Sequence, residues 1–144
     1  MTTTWILVSN ASTAKLWANH GPKKGIALLK EFEHPDSRRK TSELVSDRAG
    51  MASGNGHGVR QSHLLPKEHA ALQFAQTLTR YLQQARTHNE MGRLILVAPP
   101  AFMGMLNQNL DNATAQLVTD RLEKDYTKSS DADLCDHLSS CIYL

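Results

Sequence analysis

The 144-residue sequence lacks the features that mark several protein classes. Its two cysteines, Cys135 and Cys141, are too few for a disulfide scaffold. Its longest apolar runs, residues 5–8 and 94–98, fall well short of the ~20 residues that a membrane-spanning helix needs. Residues 1–10 have neither the basic region nor the long apolar core of a secretory signal. We therefore expect a cytoplasmic protein with no membrane span.

The composition is typical of one ordinary folded domain. Hydrophobic residues make up 40% of the chain and charged residues 21%. A chain of this length buries roughly two-thirds of the surface of its unfolded state, so it needs no disulfide or metal to fold. We predict a single domain over residues 1–144.

Positive charge is concentrated in one segment. The whole chain has a formal net charge of +2, but residues 34–67 alone carry +3 and the remainder carries −1. Localised basic charge attracts polyanions such as RNA, although a modest excess is also common on a solvated loop. The charged residues of the segment are Asp36, Glu43 and Asp47 against Arg38, Arg39, Lys40, Arg48, Arg60 and Lys67.

The same segment has few apolar residues between positions 34 and 65. A stretch of about 30 residues without a regular pattern is uncommon inside a compact domain, so we predict a long flexible basic loop here. Gly54, Gly56 and Gly58 add backbone freedom to it. They do not form a known phosphate-binding motif, because no Lys-Ser/Thr follows them and no strand precedes them.

The periodicity of the apolar residues predicts a mixed α/β fold. Residues 5–8, 13–19 and 26–33 read as three successive strands, and positions 14, 16 and 18 alternate with polar neighbours in the second. A helix with apolar residues every three or four positions begins at Pro66 and extends to about residue 86. A buried strand at 94–98, a helix after Pro100, a strand at 118–122 and a helix capped by Ser130 complete the chain.

These elements give the order β-β-β-α-β-α-β-α. We predict a mixed five-stranded sheet with flanking helices, the order found in ribonuclease-H-like folds. A nuclease of that class needs carboxylates at the ends of its first and fourth strands to hold two metal ions. Here those ends are Ser9-Asn10 and Ala98-Pro99, so we expect no metal and no nuclease activity.

No other cofactor or catalytic group is indicated. His57, His63 and His69 recur every six residues, whereas ligands on one helix face recur every three or four. Trp5 and Trp17 lie on neighbouring predicted strands, where aromatic residues serve more often in packing than as a platform for bases. We therefore predict no cofactor.

Five motifs in order resemble the bacterial family of proteins required for attachment to host cells, also called host attachment proteins. The match extends over essentially the whole chain. Asn10 follows Ser9 where members often carry Ala-Asp. The motifs are residues 5–11 with 14–17, the Glu-Leu-x-Ser-Asp-Arg-x-Gly-like stretch at 42–50, Phe74-Ala75, the Leu-x-Leu-Val-Ala-Pro-Pro-like stretch at 94–100 with Gly104 and Leu110, and the Lys-Asp-x-Thr segment at 124–127.

This resemblance implies a fold similar to the middle domain of archaeal and eukaryotic peptide-chain release factors. In those factors a Gly-Gly-Gln loop before the long helix promotes hydrolysis of peptidyl-tRNA. The matching stretch here, residues 54–61, ends in Gln61 but contains no Gly-Gly-Gln. Gln61 is accordingly the one weak catalytic candidate that the resemblance implies.

Three hypotheses follow. The first is a non-enzymatic, release-factor-like domain that contacts RNA or the ribosome, with phosphate contacts from Arg38, Arg39, Arg48 and Arg60 and a loop made adaptable by Gly54, Gly56 and Gly58. The second is a hydrolase of peptidyl-tRNA or another ester that uses Gln61. The third is a protein-interaction module, homo-oligomeric or with another protein, that supports attachment to host cells.

Overall fold

A computed structural model describes residues 3–34 and 66–142. Residues 35–65, which hold the predicted flexible loop, lie outside the described residues. The strands are β1 (Thr4–Ser9), β2 (Thr13–Asn19), β3 (Ala27–Glu33), β4 (Arg93–Val97) and β5 (Val118–Leu122). The helices are α1 (Pro66–Thr87), α2 (Pro100–Asn109), α3 (Asn112–Ala115) and α4 (Asp131–Leu138).

The five strands form one mixed sheet in the order β3-β2-β1-β4-β5. β2 pairs antiparallel with both β1 and β3, whereas β4 pairs parallel with β1 and with β5. β1 is therefore the central strand. β2 and β3 lie on one side of it, and after the connection through α1 the strands β4 and β5 lie on the other side. The predicted mixed five-stranded sheet with flanking helices is confirmed.

Each face of the sheet carries its own hydrophobic core, and alternation along the strands assigns the side chains. In β1, Trp5 and Leu7 point to the face that α1 and α2 cover, while Ile6 and Val8 point to the face beneath α4. β4 alternates in the same way and is buried on both faces, which is why its sequence is a continuous apolar run. The first core also includes Phe74, Ala75, Leu78 and Leu82 of α1 and Phe102, Met103 and Leu106 of α2.

The structure corrects one detail of the element order. A short helix, α3, precedes β5, so the order is β-β-β-α-β-α-α-β-α rather than β-β-β-α-β-α-β-α. Asp111 begins it by accepting a hydrogen bond from the backbone N–H of Thr114. The last helix ends at Leu138, so Cys141 and Ile142 pack on the second core from beyond the helix.

The two tryptophans are core residues on opposite faces. Trp5 is 4% exposed and belongs to the first core, and Trp17 is 5% exposed and belongs to the second. They cannot form a common platform for bases, because the sheet separates them. Within residues 3–34 and 66–142, no helix has both the length and the apolar character to cross a membrane.

Candidate functional site at the carboxyl edge of the sheet

The carboxyl ends of β1, β4 and β5 lie at the same edge of the sheet, because these strands are mutually parallel. β3 ends at this edge too, since two antiparallel pairings separate it from β1. We call this the carboxyl edge. In open α/β sheets, ligands bind outside the carboxyl ends of the strands, where the order of the strands reverses direction. Here that position lies between β1 and β4.

Asn10 is the first residue after β1 and holds the turn to β2. Its side-chain Oδ1 accepts hydrogen bonds from the backbone N–H groups of Ser12, at 2.8 Å, and Thr13, at 3.0 Å. This is an Asx turn, in which a short side chain replaces a backbone acceptor. The same turn continues into β3, because the backbone N–H of His34 donates to the carbonyl of Ser12 at 3.1 Å.

The amide nitrogen of Asn10 reaches across the edge to the segment that follows β5. Its Nδ2 donates to Oδ2 of Asp125 at 3.1 Å and to Oγ1 of Thr127 at 3.2 Å. Thr127 is 5% exposed, and its hydroxyl and backbone N–H both donate to Oδ1 of Asp125, at 2.6 and 3.1 Å. The three side chains thus form one closed hydrogen-bonded network, which we call the Asn10 network.

The Asn10 network favours the ionised form of Asp125. Loss of water around the carboxylate would raise its pKa, but hydrogen bonds from Thr127 and Asn10, together with the charge of Lys128, outweigh this and lower the pKa below its ordinary 3.8. Both carboxylate oxygens already accept hydrogen bonds, and the group is a weak base. Asp125 is therefore suited to positioning the loop and not to taking a proton from a substrate.

The N-terminus of α2 opens at the same edge, directly after β4. Pro99 occupies the N-cap and no side chain caps this end of the helix by a hydrogen bond. The first turn of the helix contains no acidic residue. A helix N-terminus carries a partial positive charge, so this end favours an anion over a cation, although Pro99 and Pro100 themselves have no backbone N–H to donate.

α1 begins on the side of the carboxyl edge. The ring of Phe74 lies against that of His34, with centroids 5.6 Å apart, so Phe74 is level with the end of β3. The residues of α1 before Phe74 therefore lie towards the carboxyl edge, and Lys67, Glu68 and His69 among them are exposed.

Tyr126 and His137 form a stacked pair beside the Asn10 network, with ring centroids 4.0 Å apart and planes inclined by 9°. The ring of His137 therefore packs against an aromatic side chain. The pKa of Cys135 is raised by burial and by the negative charges of Asp131 and Asp136, which makes its thiol a poor nucleophile.

The residues predicted from sequence to contact RNA lie outside the described residues. They are Arg38, Arg39, Arg48, Arg60, Gly54, Gly56 and Gly58, and the weak catalytic candidate Gln61 lies outside as well. Their predicted roles stay predictions. In the part of the chain that the structure describes, no three histidine, cysteine, aspartate or glutamate side chains converge as a metal site.

The Asn10 network is the feature that sequence reasoning missed. Both parts of the network stand out in the sequence. Asn10 directly follows the β1 strand, and Asp125 and Thr127 belong to the Lys-Asp-x-Thr segment. What joins them is the parallel register of β1, β4 and β5, which no local pattern specifies.

Comparison with known proteins yields a match to a sequence family and several partial likenesses in structure. The model of the family described as "Protein required for attachment to host cells" matches residues 5–138. A search of curated proteins gave no match.

Two of these solved structures share little sequence with this chain. A structure titled "Archaeal protein" is 12% identical, with a TM-score of 0.46 over 96% of this chain and 37% of its own. The Ppx/GppA phosphatase of Aquifex aeolicus, in its type II variant, is 13% identical, with a TM-score of 0.41 over 85% of this chain and 36% of its own. The chain thus spans little more than a third of either structure.

Proposed function

The chain belongs to the family of proteins required for attachment to host cells, and from this premise we propose that it acts as a non-enzymatic, release-factor-like domain that contacts RNA or the ribosome in the cytoplasm. The contact surface is the carboxyl edge together with the basic segment that starts there. The proposed phosphate contacts are Arg38, Arg39, Arg48 and Arg60, with Gly54, Gly56 and Gly58 allowing the segment to adapt.

The observation that carries this proposal is the position of the two ends of the basic segment. His34 is fixed to the β1–β2 turn by its backbone hydrogen bond to Ser12. α1 starts at Pro66 on the same side, because Phe74 in its third turn packs against His34 at the end of β3. The segment with a charge excess of +3 therefore leaves and re-enters the described fold on one side, beside the uncapped N-terminus of α2.

Binding of tRNA and of ribosomes, measured by filter retention and co-sedimentation, tests the proposal. We expect binding at low salt that weakens as salt rises, because phosphate contacts release condensed counterions. Arg38→Ala/Arg39→Ala should weaken it strongly. Lys24→Ala/Arg80→Ala removes the same charge from exposed positions in the β2–β3 turn and in the middle of α1, and should change it little.

Two results would overturn the proposal: no retention at low salt, or equal losses in both double variants. Hydrolysis of peptidyl-tRNA is tested separately, by release of labelled peptide with Gln61→Ala as the control. The non-enzymatic account expects no release above background in either protein. Release that disappears in the Gln61 variant would favour the esterase hypothesis instead.

A further inference from the structure

β3 is the outer strand at its end of the sheet and pairs only with β2 among the described strands. The outer edge of a strand presents unpaired backbone N–H and C=O groups, which another strand can bind. A bulge interrupts β3: Trp17 of β2 faces Leu28, its neighbour Leu16 faces Lys30, and Leu29 has no counterpart. Such a bulge twists an edge locally and limits the length over which a partner strand can pair.

The centre of this edge is apolar. Leu28 and Leu29 are 45% and 46% exposed, and they are the exposed large hydrophobic residues within residues 3–34 and 66–142. A single exposed leucine is ordinary on a protein surface. Two adjacent ones on an outer strand give that strand a small apolar patch that contact with another molecule would shield from water.

Charge is arranged asymmetrically on the two sides of this patch. Lys23 and Lys24 lie in the turn just before β3, and Glu31 lies in its second half, followed by Glu33 at its end. Lys30 lies between the patch and Glu31, but its ammonium group is directed to the face of the sheet that α1 covers, over the rings of Tyr81, at 4.9 Å, and Phe32, at 5.3 Å. Read along the chain, the edge is basic, then apolar, then acidic.

We propose that β3 is a self-complementary interface through which two copies of this chain associate. In the pair, the two β3 strands run antiparallel about a two-fold axis near Leu28 and Leu29. That axis brings the leucines of both copies together and sets the Lys23–Lys24 turn of each copy beside the Glu31 end of the other. A parallel arrangement would instead place lysines beside lysines.

The charges along β3 favour a second copy of this chain over a partner that is uniformly negative or uniformly positive. A polyanion would meet Glu31 and a polycation would meet the lysines, whereas the inverted copy satisfies both ends. One strand and its turn form a small interface compared with the ~1,200 Å² or more of stable complexes. The expected state is therefore a reversible equilibrium between monomer and dimer.

Sedimentation velocity over a wide range of protein concentration tests this proposal. The wild-type chain should shift from monomer to dimer as concentration rises. Leu29→Lys should abolish the shift, whereas Gln83→Lys, which adds the same charge at an exposed position of α1, should leave it unchanged. Circular dichroism would show that both variants keep the fold.

Charge reversal gives the sharper test. Lys23→Glu/Lys24→Glu and Glu31→Lys should each dissociate at least tenfold more readily than wild type, because each homodimer then opposes like charges twice. An equimolar mixture of the two variants should dimerise again, since opposite charges face each other at both ends of the mixed pair. A chain that stays monomeric at every concentration, or a mixture no more associated than its components, would overturn the proposal.

Discussion

The side-chain amide of Asn10 donates a hydrogen bond to the carboxylate of Asp125, 115 residues further along the chain. Asn10 follows β1 and Asp125 follows β5, and β4 lies between these two strands in the sheet. The bond therefore closes the carboxyl edge across three parallel strands. It ties the turn that anchors His34 to the segment that leads into α4, so one residue pair joins two parts of the candidate site.

Replacing Asn10 with alanine should destabilise the fold. The change removes the acceptor for the backbone N–H groups of Ser12 and Thr13 and the donor to Asp125. Net losses of this kind amount to about 1–3 kcal/mol. Urea unfolding at neutral pH measures the difference, and Asn109→Ala, which removes one amide hydrogen bond within α2, is the matched control. An unchanged unfolding midpoint for the Asn10 variant would contradict the structural role assigned to it.

Asp125 should give the stability a specific dependence on pH. Its pKa is lowered in the folded state, because hydrogen bonds from Thr127 and Asn10 outweigh the loss of hydration. The unfolded state thus binds the proton more readily, so the contribution of Asp125 is present above about pH 4 and is lost as pH falls through the folded pKa.

The difference in unfolding free energy between wild type and Asp125→Asn should therefore shrink in acid. Glu123→Gln, an exposed acid in the same loop, should show no such trend. Asn10→Asp should reverse the direction of this pH dependence. Two carboxylates then share the site, so the pKa of the pair rises in the folded state and the variant gains stability relative to wild type on acidification. A constant difference for Asp125→Asn from neutral to acid pH would refute the assignment.

Replacing a leucine by alanine should affect the free energy of unfolding very differently on the buried strand β4 and on the outer strand β3. Leu96 of β4 is fully buried and Leu28 of β3 is 45% exposed. We expect Leu96→Ala to cost about 2–5 kcal/mol through lost burial and a cavity, and Leu28→Ala to stay within about 0.5 kcal/mol. Chemical denaturation of dilute protein measures both. Comparable losses would mean that β3 is covered in solution even in the monomer.

Arg93 should hold residues 141–142 in place through the shape of its guanidinium group. It donates to Oγ1 of Thr119 at 2.7 Å, to Oδ2 of Asp120 at 3.3 Å and to the carbonyl of Cys141 at 3.0 Å. Lysine retains the charge but cannot make three directed contacts.

Arg93→Lys should therefore speed amide exchange of residues 141–142 nearly as much as Arg93→Ala does. The exchange of α1 amides serves as the internal reference, because none of these three hydrogen bonds of Arg93 goes to that helix. Protection in Arg93→Lys equal to wild type would show that charge alone is sufficient.

Most of the fold was predictable because local patterns determine it. The alternation in β2 assigned Ala14, Leu16 and Ala18 to one face, and the structure places all three in the first core. β5 has the bounds that the sequence indicated, and Ser130 caps α4 by accepting a hydrogen bond from the backbone N–H of Asp133. The short helix α3 was missed, since four residues give too little periodicity to distinguish a helix from a turn.

The candidate site was much less predictable. Asn10, Asp125 and Thr127 are all ordinary turn residues when read locally, and their association depends on the order of strands in the sheet. The apolar residues Leu28 and Leu29 were read as part of a strand, but their exposure depends on the outer position of that strand, which composition does not specify. Local chemistry predicts elements, whereas topology decides which side chains meet.

The salt dependence of ribosome binding tests the central claim most directly. We predict that the logarithm of the binding constant falls linearly with the logarithm of salt concentration, and that replacing Arg38, Arg39, Arg48 and Arg60 by alanine lowers the slope by about 0.7–0.9 for each arginine that contacts a phosphate. The Lys24→Ala/Arg80→Ala protein should keep the wild-type slope. An identical slope in the wild type and the four-arginine variant would contradict the claim that the basic segment at the carboxyl edge makes the contact.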